Sequence, residues 1–351
     1  MMEYQREAER RVRVGIVGVG SHSYRNVLPT LTYLPMELVA IADVDPDLGS
    51  ATARQYGVQN AYTSATEMYA NEQLDAVLLC VSPQLHPKLA IEAFEAGLHV
   101  WMEKPVATRV SEVDDMIAAR GDRIAVVGFK KVFMPATEKA KELLALDAMA
   151  PLRSIVGVYP MNIPAGGQRA IDSGEASKWL ADGCHPVSLL LEIGGPAESV
   201  TVHRGIDDSG ALIIRHVNGA ISNLHLAEKA PPFQPVERYV VFGGNQSIEI
   251  ENSRKITYQR GTKLSYARGT SFTLPGTDSG AVVWEAQDGM NTLENKAVFT
   301  QGMYGELQYF ADCVLSNTQA TRANLEFARQ VVSVYEAGLL SNDDAVQITD
   351  H

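Results

Sequence analysis

Gly18-Val19-Gly20-Ser21-His22-Ser23 ends a short apolar, β-branched run at residues 12–17. The spacing is G-x-G-x-x-small. In a strand–turn–helix unit the first glycine makes the turn and the second lets the backbone approach a pyrophosphate. A small third residue, here Ser23, lets the helix pack on the strand. The anion then lies on a helix N-terminus, where free N–H groups and the dipole attract it. The competing reading is a tight turn with no ligand. Asp43 weighs against that reading. It ends the next apolar run and stands 23 residues past Gly20, near the distance at which an acidic side chain accepts a ribose 2′-OH. A carboxylate there repels a 2′-phosphate, and Val44 follows rather than arginine. The expected cofactor is therefore NAD, with NADP less favoured. A solvated Asp43, or one capping the next helix, is the bland alternative.

Elements must hold these groups. Strands are predicted at 12–17, 37–43, 74–81, 99–102 and 123–127, with helices at 47–56, 64–71, 87–96 and 111–119 between them. Strands apolar on both faces, alternating with helices, predict a parallel sheet covered by helices. After about residue 129 the pattern changes. A helix is predicted at 135–146, then strands at 152–159, 197–203, 211–217, 220–226, 237–242 and 247–251. Ile221-Ser222-Asn223-Leu224-His225-Leu226 alternates, as in an antiparallel sheet with one face covered. Residues 260–301 are turn-rich. Helices return at 303–316 and 323–340. The expected fold is α/β: a dinucleotide-binding Rossmann unit at 1–128, then a substrate-binding and oligomerisation unit at 129–351 with an open, mostly antiparallel sheet.

Composition narrows the partners. The 351 residues include 30 basic and 42 acidic side chains, a net charge of −12. Such a surface repels a polyanion, so nucleic acid is not the expected partner. No apolar run approaches the roughly 18 residues of a membrane span. The charged start, MMEYQREAERR, has no apolar core of a secretory signal. Cys80, Cys184 and Cys313 are few, odd in number and far apart. They read as reduced thiols, and the expected compartment is the cytoplasm.

Further segments make an ordered series: Ser82-Pro83-Gln84-Leu85-His86, Ala93-Phe94-Glu95-Ala96-Gly97-Leu98-His99-Val100, Glu103-Lys104-Pro105, Gly128-Phe129-Lys130-Lys131, Asp182-Gly183-Cys184-His185-Pro186 before an apolar helix, and Gly305-Glu306. With the glycine turn, the chain resembles the Gfo/Idh/MocA oxidoreductases, the glucose-fructose oxidoreductase and inositol dehydrogenase group, over most of residues 11–340. The resemblance implies a nicotinamide cofactor and a sugar, cyclitol or related polyol substrate. It also implies a homodimer or homotetramer built through the C-terminal sheet. The cofactor set it implies is Gly18, Gly20, Ser21, His22, Ser23, Asp43, Ser82, Pro83, Gln84, His86, Glu103 and Lys104; His86 is given no chemistry. Lys104 matches the family's Glu-Lys-Pro lysine, and His185 its D-x-G-x-H histidine. The chain departs from the pattern in three places. Ala181 stands where the family aspartate lies, with Asp182 next to it. Ser188 replaces a second aspartate, and Ser82-Pro83-Gln84 replaces Thr-Pro-Asn.

Oxidising a secondary alcohol sends a hydride to nicotinamide and a proton to a base. His185 suits the base, with an unperturbed pKa near 6.5. Lys104 suits a donor that stabilises developing alkoxide charge. Asp182 would orient His185 or accept a sugar hydroxyl. The alternatives are a solvated loop for Lys104 and ordinary helix-start roles for His185 and Asp182. Gly166-Gly167-Gln168-Arg169 reads as a loop facing the cleft, with Asn162, Arg169 and Trp179 as candidate substrate contacts. Cys184 beside His185 has no second ligand pair, so no metal is expected. Lys130 and Lys131 read as structural or substrate-positioning. Two other functions remain open: a cofactor-binding sensor without turnover, for which Ala181 and Ser188 speak, and a glycosidase or lyase that recycles its NAD.

Overall fold

Strands buried on both faces need helices on both sides. The computed structural model describes residues 7–175, 177–230, 236–261, 280–286 and 296–348. β1 (Val12–Val17), β2 (Met36–Ala42), β3 (Asn60–Tyr62), β4 (Ala76–Leu79), β5 (His99–Glu103) and β6 (Ala125–Gly128) form one sheet. Their order is β3-β2-β1-β4-β5-β6, and every neighbouring pair is parallel. This is the Rossmann strand order, whose direction of winding reverses between β1 and β4; ligands bind at the carboxyl ends of the strands there. The crossovers are α1, which opens as a π turn at Ser23–Val27 and continues through Leu28–Leu31, then α2 (Pro46–Tyr56), α3 (Ala65–Asn71), α4 (His86–Glu95) and α5 (Val110–Arg120).

The second layer begins with α6 (Pro135–Leu144) and β7 (Leu152–Tyr159), followed by α7 (Gly167–Ser173) and α8 (Lys178–Gly194). β8 (Ala197–Arg204), β9 (Gly210–His216), β10 (Ile221–Leu226), β11 (Arg238–Gly243), β12 (Gln246–Glu251), β13 (Lys255–Gln259), β14 (Ala281–Glu285) and β15 (Val346–Gln347) complete a nine-stranded sheet with β7. Among the described residues only β7 and β10 pair in parallel in this sheet; the other neighbours are antiparallel. Along β10, Ser222, Leu224 and Leu226 are buried while Ile221, Asn223 and His225 face outward. Three helices close the chain: α9 (Ala297–Thr300), α10 (Met303–Ser316) and α11 (Leu325–Leu340). α10 packs back on β1, β5 and β6, and α11 packs against α5, α7 and α8.

The fold is thus the expected α/β pairing of a parallel sheet with a mostly antiparallel one. Several local expectations need correction. Residues 182–186 do not precede a helix but lie inside α8. Residues 167–169 are helical, not loop. β3, β13 and β14 carry no strand expectation in the sequence, and much of the turn-rich stretch 260–301 lies outside the described residues.

Candidate active site

The glycine turn is held by backbone. Gly18 has φ +87°, and a Cβ on it would stand 2.4 Å from the Cys80 carbonyl oxygen, so no other residue fits this close approach of β1 to β4. Its N–H donates to the Ala42 carbonyl at 2.8 Å. Gly20 faces open space: a Cβ there would meet nothing within 4 Å. Buried Ser23 donates its hydroxyl to the Gly20 carbonyl at 3.0 Å, closing the turn as the small third residue should. Ser21 and His22 form the exposed first turn of the helix. Asp43 accepts from Val19 N–H at 2.8 Å and from Asp45 N–H at 2.9 Å, while Asp45, not Asp43, caps α2. Each Asp43 oxygen keeps a free lone pair for a ribose hydroxyl. An open glycine, a helix N-terminus and an acidic strand end fit a dinucleotide.

The loops after β4 and β5 supply the next groups. Ser82 and Leu85 close a turn at 2.9 Å, and Gln84 donates from its side chain to the Gly174 carbonyl at 3.1 Å. Pro83 lies partly buried in the same loop. His86 opens α4 fully buried, its Nδ1 donating to the Pro105 carbonyl at 2.9 Å. Burial lowers its pKa, and its Nε2 has no partner among the described residues. His86 thus braces the Lys104-Pro105 loop rather than presenting itself to a ligand. Glu103, at the end of β5, accepts from His22 Nε2 at 2.7 Å and from the Lys104 N–H at 3.1 Å.

Lys104 crosses to the other layer. Its Nζ donates to the Ala181 carbonyl of α8 at 3.2 Å. Ala181 stands one helical turn before His185 on α8, and the Lys104 charge acts on the His185 ring. His185 is largely buried, and its Nδ1 has no partner among the described residues. Its pKa is pushed well below the ordinary 6.5, first by burial, then by the charges of Lys104, Lys131, Lys130 and His22. Burial and these charges disfavour the imidazolium, so the ring rests in its neutral form. Asp182 is half-buried, and its carboxylate makes no hydrogen bond among the described residues. Its charge reinforces the burial that raises the nearby Tyr159 and Cys184. Cys184, pushed up to about 12 mainly by burial, donates to Ala181 O at 3.2 Å. Among the described residues no three His, Cys, Asp or Glu side chains converge as metal ligands.

A family model described as an oxidoreductase family with an NAD-binding Rossmann fold matches residues 12–150. The myo-inositol 2-dehydrogenase of Thermotoga maritima is 32% identical over 270 residues, covering 70% of this chain and 77% of that one. The chain belongs to the Gfo/Idh/MocA oxidoreductases. An uncharacterized oxidoreductase of Rhizobium meliloti, ORF334, is 34% identical over 152 residues, 42% of this chain and 45% of that relative. The fold matches an oxidoreductase from Agrobacterium radiobacter, solved in complex with NAD+, L-tartaric acid and magnesium, with a TM-score of 0.77 at 16% identity, covering 96% of this chain and 98% of that one.

In this oxidoreductase the remaining candidates separate. Trp179 is not a cleft wall. It is 1% exposed, stacks on Tyr335 and donates its Nε1 to the Tyr335 carbonyl at 3.0 Å. Gly183 makes room for it, since a Cβ there would come within 2.1 Å of the ring. Ser188 is buried and bonds its own helix at the His185 carbonyl, 3.0 Å away, so it does not stand in for a carboxylate in the cleft. Asn162 is half-buried. Arg169 is exposed on α7, beside a groove shared with Pro164, Ser173, Glu175 and Ser177. Lys131 is committed elsewhere, to Glu237 at 2.5 and 2.7 Å and to Ser253 at 3.1 Å. Burial and the Lys131 charge lower Lys130.

Glu306 carried no assigned role in the sequence. It is fully buried behind Gly128, where a Cβ would lie 3.4 Å from its Oε1, and both its oxygens lack partners among the described residues. Burial, then the Glu103 charge, raises its carboxyl well above the ordinary 4.5. Only the pairing Gly305-Glu306 hinted at it. Burial of an acid on an otherwise apolar helix face is not visible in one sequence.

Proposed function

We propose that this oxidoreductase transfers a hydride between NAD and a secondary alcohol of a sugar, cyclitol or related polyol. The observation that carries this is the Lys104–Ala181 bond, which brings the Lys104 ammonium to the turn of α8 that leads to His185. Bound NAD would supply the hydride chemistry. The protein's part is position and charge. The ammonium donates to the substrate oxygen and stabilises it as its proton leaves. The imidazole, neutral in the resting site, takes that proton as general base. Asp182, with no protein hydrogen bond among the described residues, is placed to accept a second hydroxyl. Gly18, Gly20, Ser21, His22 and Ser23 would hold the pyrophosphate, and Asp43 the adenosine ribose. The Asp43 carboxylate favours NAD over NADP. Ser82, Pro83, Gln84 and Glu103 would border the nicotinamide half. The myo-inositol activity of the Thermotoga maritima relative supports the substrate class.

The division falls near residue 128: a dinucleotide lobe at 1–128 and a substrate and assembly lobe at 129–351. Among the described residues no helix is long and apolar enough to cross a membrane. Three free cysteines suit a reducing cytoplasm. The outer face of the second sheet supports a homodimer or homotetramer. Ile221, Ser154 and Phe242 lie abreast across β10, β7 and β11, with Val156 next along. Ile221, Val156 and Phe242 are 38%, 45% and 40% exposed. An apolar stripe in mid-sheet calls for a covering surface.

The test is a spectroscopic screen for NADH formation from NAD against a panel of polyols. NADH from at least one cyclitol or sugar is expected. Protein that binds NAD but reduces none with any polyol would favour a sensor. Bound NAD that survives purification, with substrate consumed and no NADH released, would favour internal recycling.

A further inference from the structure

Besides the packing of α10 and α11 on the first sheet and α5, the two lobes touch at a corner where α7 ends and α8 begins. Four backbone carbonyls there accept from side chains of the dinucleotide lobe. Arg109 Nε donates to Ile171 O at 3.1 Å and its Nη2 to Asp172 O at 2.6 Å. Gln84 donates to Gly174 O at 3.1 Å, and Lys104 to Ala181 O at 3.2 Å. The last carbonyls of a helix lack intrahelical partners and carry the negative end of its dipole, so a forked cation suits them. Gly174 caps α7 at φ +60°, and a Cβ on it would stand 3.4 Å from Arg109 Nη2. Arg109 itself is anchored at its root. Glu112 accepts from the Thr108 and Arg109 N–H groups at 2.8 and 3.1 Å, and Glu336 of α11 from the Val110 N–H at 2.8 Å.

We infer that Arg109 is a positioning residue for the reaction: its guanidinium clamps the α7–α8 corner to the dinucleotide lobe and so sets where His185 stands relative to Lys104 and the nicotinamide. This deepens the dehydrogenase reading and rests on it. α8 starts at the Ser177 cap, whose hydroxyl accepts from Leu180 N–H at 3.1 Å, and Asp182 and His185 follow within its first turns. Displacing the corner displaces both. Arg109 touches neither the glycine turn nor Asp43, so cofactor affinity has no reason to follow.

The experiment compares wild type with Arg109→Ala and Arg109→Lys. Arg109→Ala is expected to raise the polyol KM and lower kcat, each by roughly tenfold, the scale of a reacting group misplaced by a fraction of an ångström. The NAD dissociation constant should stay within about twofold, well short of the tenfold change that about 1.4 kcal/mol would bring. Arg109→Lys keeps the charge but not the fork, and should recover part of kcat. Equal loss in NAD affinity and in turnover, tracking a lowered melting temperature, would reduce Arg109 to a structural role. If Arg109→Ala does not fold, Arg109→Lys decides alone, by the same split between polyol and NAD. Amide hydrogen exchange separates this inference from the activity itself. NAD should slow exchange across residues 167–182 in wild type and less so in the variants. Equal slowing in all three overturns the clamp even if turnover is found. Slowing lost in the variants sustains it even if no polyol is oxidised.

Discussion

The two sheets solve the same problem, hiding apolar side chains, in opposite ways. β4 and β6 are buried at every residue. β10 is buried at every second one. A strand covered on both faces can offer chemistry only at its ends, and the loops after β1, β2, β4 and β5 are where Gly18, Asp43, Gln84 and Lys104 lie. A strand with one free face can offer that face, and the second sheet turns Val156, Ile221 and Phe242 outward. Its contribution to the cleft comes from α8, on its covered side. Under the proposed function this is a division of labour: strand ends of the first sheet would hold cofactor, a helix on the second would carry the base, and the outer face would be left for assembly.

Substitutions can break that division or sharpen it. The largest effect should come where the lobes meet: Lys104→Ala and His185→Ala are each expected to lower kcat by about 10²-fold or more, the scale of lost oxyanion or general-base help. Steady-state kinetics that find only a few-fold loss in both would refute the pairing. Next, Asp43→Ala should cut the NAD-to-NADP preference in kcat/KM by roughly tenfold, about 1.4 kcal/mol. A wild type that prefers NADP would contradict the reading of this strand end. On the outer face, Phe242→Asp with Val156→Asp should shift the protein to monomer in sedimentation, with its far-UV spectrum unchanged. An unaltered assembly would free that face of its role.

The smallest effect concerns Glu306 and its sign is set by its raised pKa. The folded state holds a proton that the unfolded chain releases above pH 4.5. Unfolding therefore releases protons in that window, and stability falls as pH rises from 4.5 through the folded value. Glu306→Gln cannot lose this proton. Its melting temperature relative to wild type should rise with pH, and a constant offset from pH 5 to 8 would argue that the acid is not buried as described.

Much of this was legible in the sequence because it is local. Runs such as Val12–Val17 and the alternation of Ile221–Leu226 state their burial directly, and the glycine turn states its φ. Three things were hidden. β3 and β14 are mostly exposed, so their residues carry no burial signal. α8 contains Gly183 and Pro186, which read as breakers. Gly183 is there for the Trp179 ring, a tertiary reason, and Pro186 is accommodated inside the helix. Trp179 reads from sequence as a substrate contact; its burial against Tyr335 places it in the core instead. The same holds for Arg109, whose role depends on a helix end more than 60 residues away.

The most direct measurement is a structure of the protein with NAD and a polyol that it oxidises. The account predicts the dinucleotide along Gly18–Ser23 and an alcohol carbon within about 3.5 Å of the hydride-accepting position, its oxygen between the Lys104 ammonium and the His185 imidazole. A polyol bound with no alcohol carbon facing the nicotinamide, or an oxygen reached by neither side chain, would contradict it.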